Sequence, residues 1–301
     1  MVRMCVKKDS GEVFAVKVMA KNPTRGGNQV QSSSVDFSVM FRNEVKILER
    51  MDHPNVVRHY DVFQDKHYLY ALIEKCDGGE LFLQVVKQKK FTESDASTLC
   101  YQMLQAINYV HKMQIVHRDI KAENFLFADS FLDADADFSR VRLVLIDFGM
   151  SIRLTDDRFL KQLCGSPHYV APELVGRRYR FEVDLWALGV VIYLMLYGRY
   201  PFEGKGHKEI VHKILNAEPD YQRGGNPPSH IAIDFMQQLL KKEPSERMTA
   251  AQALRHQWLS PALKKDLSTF TVEDDVKLAA LRKASLERLT LRSESASASA
   301  L

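Results

Sequence analysis

The chain has few cysteines, no long apolar run and no marked excess of charge, and each shortage removes a class of protein. Its four cysteines, Cys5, Cys76, Cys100 and Cys164, are scattered without C-x-x-C spacing. That argues against a zinc site or a disulfide framework and for a reduced, intracellular chain, in the simplest case cytoplasmic. No apolar stretch reaches the roughly 18 residues of a spanning helix, and the longest, Trp186 to Tyr197, suits a buried core helix. A formal net charge of +4 over 301 residues, mixed in sign along the chain, does not make the basic field of a nucleic-acid binder. The N-terminal MVRMCVKKDSGEVFAVKV alternates like a strand and has no signal-peptide pattern. A soluble protein with one large domain or two lobes is expected, without internal repeats.

What is present changes character along the chain. VRMCV, a turn at Gly11 and VFAVKVMA read as two strands. NPTRGGNQVQSSSVD reads as a polar loop. Phe41, Val45 and Leu48 have helical spacing, so 41–51 is expected as a helix that stops before Pro54. VVRHYDVF and YLYALIE are two further strands around the turn QDKH. From Gly78 the pattern becomes helical: GGELFLQVVKQKK, then a long helix from Thr92, its N-cap, with Asp95 three residues on. After a loop-rich middle, helices are expected near 184–197, 207–216, 231–241 and 249–257. The divisions are therefore 1–76, sheet-rich; 77–260, helical; and 261–301, a charged helix with a low-complexity SESASASAL end.

Four short segments occur in a fixed order: AVK at 15–17, HRDIKAEN at 117–124, DFG at 147–149 and APE at 171–173. Together they resemble the signature set of eukaryotic protein kinases, a likeness that covers about residues 2–260. GGEL at 78–81, CGSPHYVAPE and HQWL are similar in style to the calcium/calmodulin-dependent group, and ENFLF to its calcium-dependent relatives. The fold class implied is α+β: a bilobal kinase-like fold with an antiparallel sheet and one helix, followed by a mainly helical lobe.

The resemblance also implies roles. Phosphoryl transfer asks the protein for positioning and charge neutralisation more than for covalent chemistry. Lys17 contacts the ATP phosphates and is paired by Glu44, found by counting back from the HPN turn at 53–55. Asp119 is the catalytic base and Lys121 neutralises the transferring group. Asn124 and Asp147 offer the hard oxygen donors that Mg2+ favours. Val2, Ala15, Glu74, Cys76 and Glu80 complete the nucleotide site. His117 and Phe148 are internal packing residues, and His59 stands where leucine is usual. Glu173 and Arg247 form a buried pair, Asp184 holds the backbone around His117 and Arg118, and Ser166 bridges Asp119 and Lys121.

Lys121 and Met150 suggest serine/threonine substrates, and Glu80 and Glu123 a moderate R-x-x-S preference. Gln162 stands where many relatives carry a phosphorylated threonine, so activity independent of that phosphorylation is expected. RKAS at 282–285 resembles a substrate motif, and the tail is a candidate autoinhibitory or calmodulin contact. The acidic DADAD run at 133–137 is no calcium loop, because Phe138 replaces the required glycine and Val144 the required glutamate. A complete kinase opens with a strand and a G-x-G-x-x-G loop, which this sequence does not show. Two readings follow: an active kinase whose N-terminal part is missing, leaving this polypeptide weak or inactive alone, and a pseudokinase scaffold. Retention of Lys17, Glu44, Asp119, Asn124 and Asp147 favours the first.

Overall fold

The structure, a computed structural model, describes residues 1–21, 37–130, 137–223 and 227–260. The loop expected at 22–36, Asp133 to Ala136 of the acidic run, and the tail with RKAS lie outside them.

Strands β1 (Val2–Val6) and β2 (Val13–Ala20) form a hairpin, and helix α1 (Phe37–Leu48) follows. Strands β3 (His59–Gln64) and β4 (Tyr68–Ile73) complete an antiparallel sheet of order β1-β2-β4-β3. One face carries Leu69 and Ala71, and α1 covers it with Phe41 and Val45, closing a small core. That packing sets the position of β2, where Lys17 is opposite Val2 on one side and Ala71 on the other.

The larger part begins with α2 (Leu81–Gln88) and α3 (Glu93–Lys112). Thr92 caps α3 as expected, accepting from the Asp95 N–H at 3.2 Å. Gly78 and Gly79, expected inside the preceding helix, lie before it. Gly78 packs against Phe127 and the Asp129 carbonyl so closely that a Cβ would overlap both, and Gly79 has φ +79°. The requirement here is close approach, which a helical pattern cannot reveal.

Two short ribbons organise the loop-rich middle. Strand β5 (Ile115–Val116) pairs with β8 (Ile152–Arg153), and β6 (Phe125–Phe127) pairs with β7 (Leu143–Leu145). The β5–β6 connection therefore lies beside the β7–β8 connection, and these are the segments carrying HRDIKAEN and DFG. Asn55 helps fix β7: its Nδ2 donates to the Leu143 carbonyl at 2.8 Å, and its own carbonyl accepts from Leu145 N–H at 2.9 Å.

Helices α4 (Pro172–Val175), α5 (Glu182–Tyr197), α6 (His207–Asn216), α7 (His230–Leu239) and α8 (Ala250–Ala253) complete the fold. Helix α5 is apolar on every side, and Val183 to Leu196 are all buried, as befits a helix at the centre of a core. Burying each large apolar side chain there stabilises the fold by about 1.5–3 kcal/mol before entropy is counted. The expected 249–257 helix is shorter than its pattern. Thr249 and Gln252 form a reciprocal capping box, and the chain then turns into a single 3-10 turn at Gln257–Leu259 that buries Trp258. Likewise α1 ends at Leu48, and the residues to Met51 continue as tighter turns. Among the described residues, no helix is long and apolar enough to cross a membrane.

Candidate active site

Lys17 sits on β2 and Glu44 on α1, and the packing of helix on sheet brings them together. Lys17 Nζ donates to Glu44 Oε1 and Oε2, both at 2.7 Å, and to Asp147 Oδ1 at 2.9 Å. Glu44 is only 5% exposed. Burial alone would lower the pKa of the Lys17 ammonium, but the Glu44 and Asp147 carboxylates outweigh it and hold it above its ordinary value. Asp147 shows the reverse balance: burial pushes its carboxyl up, and Lys17 brings it below the usual aspartate range.

The second cluster lies in the β5–β6 connection. Lys121 Nζ donates to Asp119 Oδ2 at 2.7 Å. Asn124 Nδ2 donates to the Asp119 carbonyl at 2.7 Å and to Oδ2 at 3.0 Å. These contacts fix one carboxylate oxygen and leave Oδ1 without a hydrogen bond among the described residues. With its amide nitrogen so committed, Asn124 has its Oδ1 left to accept or to ligate.

Asp184, buried on α5, supports this loop from below. Its Oδ2 accepts from His117 N–H and its Oδ1 from Arg118 N–H, both at 2.9 Å, and His111 Nε2 lies 2.9 Å from Oδ2. Although burial disfavours charge on Asp184, His111 and these N–H groups keep its pKa below the ordinary value. Arg118 (φ +68°) and Asp147 (φ +61°) are both in the left-handed region. Such conformations cost bulky residues free energy and persist where their surroundings hold them. The hydrogen bonds that His117 and Arg118 N–H donate to Asp184 supply that hold at Arg118, and Lys17 binds the Asp147 side chain.

Around the two clusters, His117 packs edge-on against Phe148 with ring centroids 4.8 Å apart. Arg247 Nη1 and Nη2 donate to Glu173 Oε1 and Oε2 at 2.5 and 3.0 Å, with the Arg247 side chain fully out of solvent. Ala15 lies on β2 opposite Met4 and Ile73. Val2 is 59% exposed. Glu74 pairs with Arg142 and accepts from Arg58 N–H, so its carboxylate is already engaged. The Cys76 thiol is pushed up to about 12, chiefly by burial, which keeps it protonated at neutral pH. Glu80 is the N-cap residue of α2 and bridges to Leu126.

One expected contact is absent. Ser166 makes no hydrogen bond to Asp119 or Lys121 among the described residues, and Lys121 reaches Asp119 directly. Sequence reading missed Arg142 as the partner of Glu74, and it missed the Asn55–Gln102 hydrogen bond of 3.0 Å behind β7. Neither Arg142 nor Gln102 has a local pattern that would have marked it.

The comparisons agree with this geometry. The protein kinase domain model matches residues 1–259, and the chain belongs to that family. It is 36% identical over 270 residues to the calcium/calmodulin-dependent protein kinase type 1B of Rattus norvegicus, covering 88% of this chain and 74% of that one. It is also 36% identical to CDPK-related kinase 5 of Arabidopsis thaliana, with 94% of this chain matched to 44% of the relative, and to a probable myosin light chain kinase of Dictyostelium discoideum, with 86% and 63% covered. The protein is a serine/threonine protein kinase, an ATP-dependent phosphotransferase of the calcium/calmodulin-dependent kinase-like group. Nothing in these matches favours the scaffold reading.

Proposed function

We propose that Asp119 is the base that receives the substrate hydroxyl, and that Lys17, Lys121, Asn124 and Asp147 organise ATP around it. The observation that carries this reading is Asp119, held by Lys121 and Asn124, in a loop whose Asn124 carbonyl accepts from the Ile146 N–H at 2.9 Å, next in sequence to Asp147 of the Lys17–Glu44–Asp147 ion cluster. The serine or threonine oxygen attacks the γ-phosphorus, the bond to the ADP oxygen breaks, and the hydroxyl proton passes to Asp119. Lys121 lies on the same carboxylate and neutralises charge on the transferring group. Lys17 holds the α- and β-phosphates, and Glu44 keeps its ammonium in place. Val2, Ala15, Glu74, Cys76 and Glu80 line the nucleotide site, with Glu74 acting through its backbone because its carboxylate is taken.

A magnesium ion fits the donors. Among the described residues, no group of three or more His, Cys, Asp or Glu could hold a metal unaided. Asp147 and the Asn124 oxygen instead offer a partial set of hard ligands, which suits a cation completed by phosphates and water. Magnesium, when bound, would offset the charge on the phosphates.

The lobes divide near residues 76 and 77, and residues 261–301, charged with a low-complexity end, are a candidate autoinhibitory or calmodulin contact. Glu80 and Glu123 favour basic side chains before the phosphorylated residue, giving a moderate R-x-x-S preference. The names of the mammalian relatives support calmodulin as a partner, and the scattered cysteines support an intracellular location. A peptide array tests specificity: arginine selected three residues before the phosphosite is expected, and no selection there would contradict it. Asp119→Asn should slow transfer to the selected peptide by at least ~10², whereas transfer at the wild-type rate would overturn the catalytic assignment.

A further inference from the structure

Arg118, immediately before Asp119, has a guanidinium with only uncharged partners. Its Nε donates to the Met150 carbonyl at 2.6 Å. Its Nη1 donates to Gln162 Oε1 at 3.1 Å and lies 3.4 Å from the Tyr179 hydroxyl. It forms no ion pair among the described residues. The acids of the same segment are turned elsewhere: exposed Asp156 pairs with Arg158 at 3.1 Å and exposed Asp157 with Arg180 at 3.7 Å.

Gln162 is gripped twice. Arg118 takes its side-chain oxygen, and the Tyr179 hydroxyl donates to its backbone carbonyl at 2.7 Å. Two residues earlier, Leu160 and Tyr179 exchange backbone hydrogen bonds of 2.9 and 3.3 Å. Three residues later, Gly165 (φ +96°) runs so close to the Arg118 carbonyl that a Cβ would sit 3.3 Å from it. The chain on both sides of Gln162 is thus held against the residue next to Asp119. Between Gly149 and Cys164 the hydroxyls are few. Ser151 is 2% exposed and donates to the His117 carbonyl at 3.3 Å, and Thr155 is seven residues before Gln162.

The geometry points to Gln162 as a positioning residue: its amide oxygen, clasped by Arg118 while Tyr179 holds its carbonyl, docks the 158–166 segment beside Asp119 without a phosphate. This rests on the reading of Asp119 as the base, because a clasp on its neighbour matters to the reaction only then. An uncharged clasp also has a distinctive electrostatic consequence. A hydrogen bond to a neutral oxygen responds little to ionic strength, and an ion pair at the same place is screened by salt.

The test uses the full chain with Gln162→Leu and Gln162→Glu variants, an R-x-x-S peptide and a salt series. Gln162→Leu should lower kcat/KM for the peptide about tenfold, the worth of one hydrogen bond to a charged group, with KM for ATP unchanged. Gln162→Glu keeps an acceptor for Arg118, so it should restore the rate and make it salt-sensitive. Wild-type kinetics in Gln162→Leu, or equal impairment of both variants, would overturn the proposal. Hydrogen exchange separates the clasp from the catalytic reading. The Leu160 and Tyr179 amides should exchange faster in Gln162→Leu than in the wild type, whether or not the wild type phosphorylates the peptide. Equal exchange would refute the clasp, whereas a wild type without transfer would count against the catalytic reading alone.

Discussion

Lys17 Nζ lies 2.7 Å from both carboxylate oxygens of Glu44, although the two residues are 27 apart in sequence and the segment between them includes residues 22–36. The pair is closed by α1 packing on the sheet, so it reports directly on how the smaller lobe is assembled. Lys17 keeps Asp147 when Glu44 is lost, and it is partly exposed. Glu44→Gln should therefore destabilise the protein by more than the ~1 kcal/mol of an exposed pair and less than the ~3–5 kcal/mol of a buried one. It should also raise KM for ATP. Urea titration and initial-rate kinetics check both, and an unchanged KM would separate the pair from nucleotide binding.

A larger loss is expected at Arg247. Its side chain is fully buried against Glu173, and it also donates to the Glu182 and Lys241 carbonyls at 2.8 and 3.0 Å. Removing it by Arg247→Met strands a buried carboxylate, at a cost of about 3–5 kcal/mol. The urea midpoint should fall accordingly. A shift below ~1 kcal/mol would mean that water reaches Glu173.

His59 gives a pH signature. Its Nε2 is buried without a hydrogen-bond partner among the described residues, and burial holds the ring's pKa below its ordinary value of 6.5 despite the nearby Glu49 and Asp61. The fold therefore prefers neutral His59. Its contribution is complete above pH 6.5 and is lost as pH falls from there through the lower folded-state value. His59→Leu should stabilise the protein by about 1–3 kcal/mol, the cost of an orphaned polar group, and should flatten the fall in stability between neutral and mildly acid pH. Thermal melts at several pH values check this, and an unchanged slope would place the titration elsewhere, for instance at His117.

Much of the site was legible because phosphotransfer chemistry uses short, ordered motifs. Asp119, Lys121 and Asn124 lie within eight consecutive residues, and Glu44 could be counted back from His53–Asn55. Thr92 was readable as a cap because capping is local. The rest depends on contacts between distant segments. Gly78 reads as part of a helix until Phe127 and Asp129 are seen beside it. Glu74 was placed in the nucleotide site with no sign that Arg142, just before β7, takes its carboxylate. Ser166 was expected to bridge a gap that Lys121 closes directly. Gln162 was visible only as a departure from its relatives, and its partner Tyr179 carried no signal at all.

The most direct test of the account is single-turnover phosphoryl transfer from ATP to an R-x-x-S peptide by wild type and Asp119→Asn, with nucleotide affinity measured alongside. The account predicts a fall in the transfer rate of at least ~10²–10⁴, the usual worth of a general base, and an unchanged Kd for ATP, because Asp119 acts on the substrate hydroxyl. Transfer by Asp119→Asn at the wild-type rate would contradict it.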